Sequence, residues 1–240
     1  MPLSQAYACS SARLRTYNTV EETAGTAAKV TAYTSVEETM RLVLGQLALS
    51  QYEVRNGSPV AHKRYTDFMT IVGVISDTHG RLDERAYMAL ADCDHIIHAG
   101  DIGGPDILRE LRTLAPVTAV LGNNDFVEYG ADVKRFAHPT IGGVKFLVAH
   151  YPFDVDVSKP GSRGLAAGDP IPDVCIHGHT HMPRLDYGKK ARPAQFILNP
   201  GSASWPRGGN PVSIARIVIT QGSVESICIA SLDGEILMRV

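Results

Sequence analysis

The chain has 240 residues, of which 44% are hydrophobic and 20% charged, an ordinary globular composition that excludes full-length disorder, collagen and coiled coil. Lys and Arg number 23 against 25 Asp and Glu, so the net charge is −2, and neither a nucleic-acid partner nor a disordered acidic tail is indicated. No apolar run approaches the roughly 20 residues that span a bilayer, so no membrane partner is expected. Cys9, Cys93, Cys175 and Cys228 form no CxxC pair and read as free thiols, which places the chain in the reducing cytoplasm.

The histidines divide the chain. Of nine, eight lie between His79 and His181. Residues 1–68 read as an N-terminal extension, partly helical or flexible, of unknown role; residues 69–240 read as the functional domain. Residues 1–20 hold Arg13 and Arg15 with several serines and no acid, a composition shared with transit peptides. A start of translation at Met69 is a related reading. YNTVEET at 17–23 recurs as YTSVEET at 33–39, and both copies look like helix starts. Thr19 and Ser35 are the expected N-caps, with Glu22 and Glu38 three residues on. Val36, Met40, Val43, Leu44 and Leu47 then share one face, which predicts a helix near 36–50. Residues 51–68 show no period and read as a linker.

From Met69 short apolar runs alternate with amphipathic ones. Strands are predicted over 70–76, 94–100 and 116–122, and helices near 83–92 and over 106–115, where Ile107, Leu108, Leu111 and Leu114 share a face. Strand–helix–strand with short links implies right-handed crossovers and a parallel sheet. Further strands are predicted over 144–150, 172–178, 194–199, 212–220, 224–230 and 235–240, with Asp233-Gly234 as the hairpin turn between the last two. The expected fold is α/β (α+β), a β-sandwich of two mixed sheets flanked by helices.

Five polar clusters each follow an apolar strand: Asp77-Thr-His79, Gly100-Asp101, Gly122-Asn123-Asn124-Asp125, His150, and Gly178-His179-Thr-His181. Carboxylates, imidazoles and one amide suit borderline divalent metals such as Mn, Fe, Ni, Co or Zn. Side chains two apart on a strand point the same way, so Asp77 with His79, and His179 with His181, are expected to grip an ion if the strand geometry persists. A lone DxH is more often a cap or turn; five clusters in this order, about 22 to 29 residues apart, point to a metal site.

This order resembles the calcineurin-like metallophosphoesterase superfamily, and most closely its small bacterial and archaeal phosphodiesterase branch. The segments DTHG, GD, GNxD, H, GHTH and NPGS stand here as Asp77–Gly80, Gly100–Asp101, Gly122–Asp125, His150, Gly178–His181 and Asn199–Ser202. The resemblance covers Met69 to Val240 and none of residues 1–68. It implies two divalent ions, with Mn first and Ni, Fe, Co or Zn as alternatives. Asp77, His79, Asp101 and His181 would hold one; Asp101, Asn123, His150 and His179 would hold the other, Asp101 bridging. Asp101, Asn123 and His150 would be the catalytic residues, and a metal-bridging hydroxide would attack phosphorus in line.

Members built for phosphomonoesters have His after the Asn of GN and Asp three residues after the GD aspartate. Here those positions hold Asn124 and Gly104, and an amide cannot deliver a proton near neutral pH. The expected substrate is therefore a small phosphodiester. Asn124 and Arg207 are the substrate-binding candidates; Arg163 and Trp205 are further candidates, though a solvated or packing role is the commoner one for such residues. Residues 158–172, rich in Pro and Gly, are expected to form an irregular loop. Two other readings remain: a protein-binding scaffold, as in a retromer subunit of the superfamily, and a nuclease. The domain carries 16 basic against 19 acidic residues, which argues against the nuclease.

Overall fold

A computed structural model describes residues 69–126, 129–158, 164–166 and 168–240. The expected helix over 36–50, the linker over 51–68 and Arg163 lie outside them.

The first strand sets the plan. In β1 (Met69–Ile75) every residue from Ile71 on is buried, because the strand is covered on both faces. Ile71 and Ile75 face outward onto α1 (Glu84–Ala89) and α2 (Pro105–Leu114), packing with Leu90, Ile107, Leu108 and Leu111. Val72 and Val74 face inward, toward the second sheet. Gly73 lies under the helical layer: a Cβ there would stand 2.4 Å from Leu90 Cδ2 and 2.8 Å from Cys93 Sγ. Asp83 caps α1 by accepting from Arg85 N, and α2 opens on Pro105, whose missing N–H costs a helix nothing at its first turn.

β1 pairs in parallel with β2 (His95–His98), which pairs in parallel with β3 (Val117–Ala119). On its other side β1 runs antiparallel to β10 (Ser213–Thr220), followed by β11 (Ser223–Ser231) and β12 (Ile236–Arg239), giving the order β12-β11-β10-β1-β2-β3. The second sheet has the order β4-β6-β7-β9-β8, with β5 on β6. Its strands are β4 (Phe136–Ala137), β5 (Thr140–Ile141), β6 (Val144–Ala149), β7 (Val174–Ile176), β8 (Arg184–Tyr187) and β9 (Phe196–Asn199). β6, β7 and β9 are parallel. A short α3 (Pro152–Val155) follows β6.

Between the sheets lies the main core, where Val72, Val74 and Ile97 meet Phe146, Val148, Ile176, Leu198, Ile217 and Ile219. Each such buried side chain contributes about 1.5–3 kcal/mol. This is the expected two-sheet sandwich with helices outside. The imperfect alternation of β10 has its cause here: Ser213 to Ile219 are all buried, since that central strand is covered on both faces.

Two details differ from expectation, and a third agrees with it. β4, β5, β8 and α3 were not foreseen. The described part of 156–173 has no helix or strand, in keeping with an irregular loop. Cys93 and Cys175 are free and buried, but Cys228 is disulfide-bonded, so the reading of four free thiols does not hold.

Candidate metal centre

The site forms where the strands of both sheets end. β1 stops at Ile75, but its hydrogen bonding to the segment after β2 continues: Asp77 N donates to Gly100 O at 3.0 Å, His79 N to Asp101 O at 2.9 Å and Gly80 N to Ile102 O at 2.7 Å. Asp77, His79, Asp101, His179 and His181 all have positive φ, between 46° and 68°. Among the described residues only one other non-glycine shares that conformation, Gln221 in the β10–β11 turn. Left-handed backbone at a residue with a Cβ costs on the order of 1–3 kcal/mol, and it persists where surrounding structure holds it. Here it bends five side chains into one place. The expected same-side projection of Asp77 with His79 along an extended strand is thus corrected: they converge because the chain turns left-handed at both.

Asp77, His79, Asp101 and His181 offer ligand atoms that all lie within 4.8 Å of one another. His79 Nε2 is 3.3 Å from His181 Nε2 and 3.8 Å from Asp101 Oδ2. Beside them stands a second group. Asn123 Oδ1 is 3.1 Å from His150 Nε2 and 2.9 Å from His179 Nδ1, and His150 Nε2 is 3.5 Å from Asp101 Oδ2. Asp101 belongs to both groups.

The hydrogen bonding on the far side of two imidazoles decides what their near nitrogens can do. His150 Nδ1 meets Ala99 O at 2.8 Å, and His181 Nδ1 meets Trp205 O. A carbonyl only accepts, so each Nδ1 carries the proton and each neutral ring turns a lone pair inward. That nitrogen of His181 lies 3.1 Å from Asp77 Oδ1 and 3.3 Å from His79 Nε2, and that of His150 lies beside Asn123 Oδ1 and Asp101. Acceptors opposed to acceptors need a cation between them. Asp77 Oδ1 itself is buried without any hydrogen-bond donor, its His181 neighbour lying close but out of alignment. These residues fit divalent metal.

The electrostatics run the same way. Burial opposes ionisation of Asp101, but the neighbouring His150 ring and two hydrogen bonds from Asn124 outweigh it and hold the carboxyl well below its usual range. The Asp77 carboxylate raises the pKa of His181. Burial works to lower that of His150, and Asp101, Asp77 and Ala99 O together raise it. Carboxylates that draw a proton onto these rings also draw a metal ion. His179 is lowered, by burial and by the His150 charge.

Small residues permit this density. A Cβ on Gly122 would stand 2.1 Å from Asp101 Oδ1, and one on Gly178 would stand 2.0 Å from Ser76 Oγ. Asn124 donates from N to Asp101 Oδ1 at 2.9 Å and from Nδ2 to Oδ2 at 2.7 Å, so this candidate substrate contact aligns the shared carboxylate. At Gly104 a Cβ would have nothing within 4 Å, and no acid occupies that space. Arg207 N donates to His181 O at 3.2 Å.

Several supports were not legible beforehand. Asp125 closes the Gly122–Asp125 cluster without being one of the expected ligands. It accepts from Ile102 N, Gly103 N, Gly122 N and Tyr129 Oη, fastening the segment after β2 to the segment after β3. Ser202 Oγ and Ser204 Oγ both donate to Asp77 O at 2.9 Å. Asn199 Nδ2 donates to Gly178 O and Thr180 Oγ1. The NPGS motif marked this segment, but the carbonyls Ala99 O and Trp205 O left no sequence signal, since any residue supplies one. His98 is buried and bonded to Thr78 Oγ1 at 2.9 Å, and burial pushes it down to about 4. His138 is exposed, with Nε2 2.6 Å from Gly164 O. His177 is buried and bonded to Gly178 O.

Fold and site together define a metallophosphoesterase. Residues 69–222 match the calcineurin-like phosphoesterase superfamily domain, and the chain belongs to that family. It is 38% identical over 156 residues to a "Probable metallophosphoesterase" of Methanothermobacter thermautotrophicus, which covers 61% of this chain and 86% of that one. It is 44% identical over 45 residues to the phosphodiesterase YfcE of Escherichia coli, 19% of this chain and 22% of that one. The solved structure of YfcE, a phosphoesterase, superposes with a TM-score of 0.54 at 24% identity over 71% of this chain and 98% of that one. A zinc complex of Vps29 from Entamoeba histolytica gives 0.56 at 22% identity over the same shares. These two likenesses concern the fold.

Among the described residues no helix is long and apolar enough to cross a membrane.

Proposed function

We propose that this chain is a phosphodiesterase working at a dinuclear metal centre. The observation that carries the reading is the pair of ligand groups sharing Asp101, each with an unprotonated imidazole nitrogen set beside oxygens that cannot donate. One ion would be held by Asp77, His79, Asp101 and His181, the other by Asp101, Asn123, His150 and His179. Mn is the first choice for this mixed N/O set, and Ni, Fe, Co and Zn fit the same donors. When bound, such ions supply positive charge for the phosphoryl oxygens and activation of the attacking water.

The chain's own groups do the rest. Ala99 O and Trp205 O fix the tautomers of His150 and His181. Asn124 holds Asp101, and the second N–H of its amide is a donor for a phosphoryl oxygen. Among the described residues no carboxylate pairs with the Arg207 guanidinium, a cation for the same phosphate. The side-chain acid of the monoesterases is replaced by Asn124 and Gly104. Loss of a general acid costs about 10²–10⁴-fold, most for poor leaving groups, so phosphodiesters and esters with stabilised leaving oxyanions such as phenoxides are favoured over alkyl monoesters. The relative named phosphodiesterase supports the same substrate class.

The Vps29 likeness keeps a protein-binding scaffold as the second reading. The full donor set, built on five strained residues, favours catalysis. The proposed domain is 69–240, with a small substrate, and 1–68 is a separate extension. The test compares bis-p-nitrophenyl phosphate with p-nitrophenyl phosphate on Mn²⁺-reconstituted protein. A kcat/KM at least tenfold higher for the diester is expected, and loss of that rate in Asp101→Ala. Preference for the monoester, or no rate with any divalent ion, would overturn the proposal.

A further inference from the structure

The segment 202–207 carries more fixed backbone than a rim loop needs. Ser202 Oγ donates to Asp77 O and accepts from Trp205 N at 2.8 Å. Trp205 O accepts from His181 Nδ1, and Arg207 N donates to His181 O at 3.2 Å. The segment is therefore tied to two of the residues proposed as metal ligands. Yet the indole it carries is 62% exposed, and it belongs to none of the buried clusters. Trp is among the residue types that repay burial most, because one rigid ring covers a large area. A rigid backbone presenting an unburied indole has already lost the entropy that stacking would otherwise cost.

Its surroundings add to this. Arg207 is exposed, and its backbone N is held 3.2 Å from His181 O, which anchors its side chain next to a residue of the centre. Met182, next to His181, is 45% exposed, and its Sδ lies 3.2 Å from where a Cβ on Gly208 would stand. Met182, Trp205 and Arg207 are thus all exposed on backbone that is adjacent or hydrogen-bonded to His181.

We infer that Trp205 is a specificity residue: it stacks a flat aromatic group on the ester arm that stays on the phosphate, an aryl group or a nucleobase, while Arg207 takes the phosphate of that arm. The inference rests on the phosphodiesterase reading and narrows its substrate class, placing alkyl, glyceryl and plain sugar diesters below aromatic ones.

Trp205 is the chain's one tryptophan, so its fluorescence reports this position alone. Two readouts apply to the Mn²⁺-loaded full chain. Titration with AMP quenches the emission saturably, and ribose 5-phosphate, which has the phosphate without the base, does not. In kinetics, the p-nitrophenyl ester of thymidine 5′-phosphate is compared with ethyl p-nitrophenyl phosphate, whose leaving group is the same. The expected kcat/KM ratio is about 10 or more, from the usual worth of one base–aromatic stack. Trp205→Ala brings the ratio near one and Trp205→Phe keeps most of it. Turnover of both esters with a ratio near one in the parent protein would overturn the inference and leave the phosphodiesterase intact. Turnover of neither would remove the phosphodiesterase reading and this inference with it.

Discussion

Replacing Asp125 by Ala tests how the two central loops are held. Its carboxylate accepts from Ile102 N at 2.9 and 3.1 Å, Gly103 N at 3.0 Å, Gly122 N at 2.8 Å and Tyr129 Oη at 3.0 Å. Gly103 is exposed, and its N–H would turn to water. Ile102 is fully buried, and its N–H would be left without a partner, which costs about 1–3 kcal/mol. Gly122 N and the Tyr129 hydroxyl, each half-buried, add about 0.5–1 kcal/mol apiece. The expected loss is about 3 kcal/mol, more than a hundredfold in the folding equilibrium. Urea unfolding of metal-stripped protein measures it. Metal affinity should fall as well, because Asp101 and Asn123 sit on the loops that Asp125 joins. Asp125→Asn keeps one oxygen and should fall between. A loss below about 1 kcal/mol in Asp125→Ala, or unchanged metal affinity, would refute this account of the loops.

Other outcomes follow from the same geometry. Gly122→Ala places a Cβ 2.1 Å from Asp101 Oδ1 and 2.2 Å from Asp101 N, so the shared carboxylate must move; metal affinity measured by calorimetry should fall at least tenfold. Burial raises the thiols of Cys93 and Cys175 to about 12, so neither reacts with a thiol reagent at pH 8 in the native protein and both react in denaturant. Burial lowers His98 to about 4, so the unfolded chain, titrating near 6.5, takes up this proton first. Its contribution is fully present above pH 6.5 and is lost as the pH falls toward 4, up to about 3 kcal/mol. The stability gap between the parent and His98→Gln should therefore shrink from pH 7 to pH 5; parallel curves would contradict this.

Much of the architecture was readable because the core strands are short apolar runs ended by turn residues. The run 70–76 became Met69–Ile75, and 106–115 became Pro105–Leu114. β8 escaped for a physical reason: Arg184 and Tyr187 are exposed, and the strand exists through its ladder with β9 rather than through any apolar period. β4 and β5 have two residues each, too few to show a period. The site's residue types and order were also readable. How they converge was not, because left-handed backbone at Asp and His looks like any other Asp or His in sequence. The tautomer-fixing carbonyls were equally silent. Asp125 was visible as an acid after GNN, but its partners are backbone N–H groups that carry no side-chain signature.

The central claim is that Asp101 joins two metal positions. Its most direct test is the number of Mn²⁺ ions bound by metal-stripped protein, counted by titration calorimetry with elemental analysis of the product. Two ions per chain are expected, with both positions weakened in Asp101→Ala and only one in His181→Ala. A single ion, or none, would contradict the account.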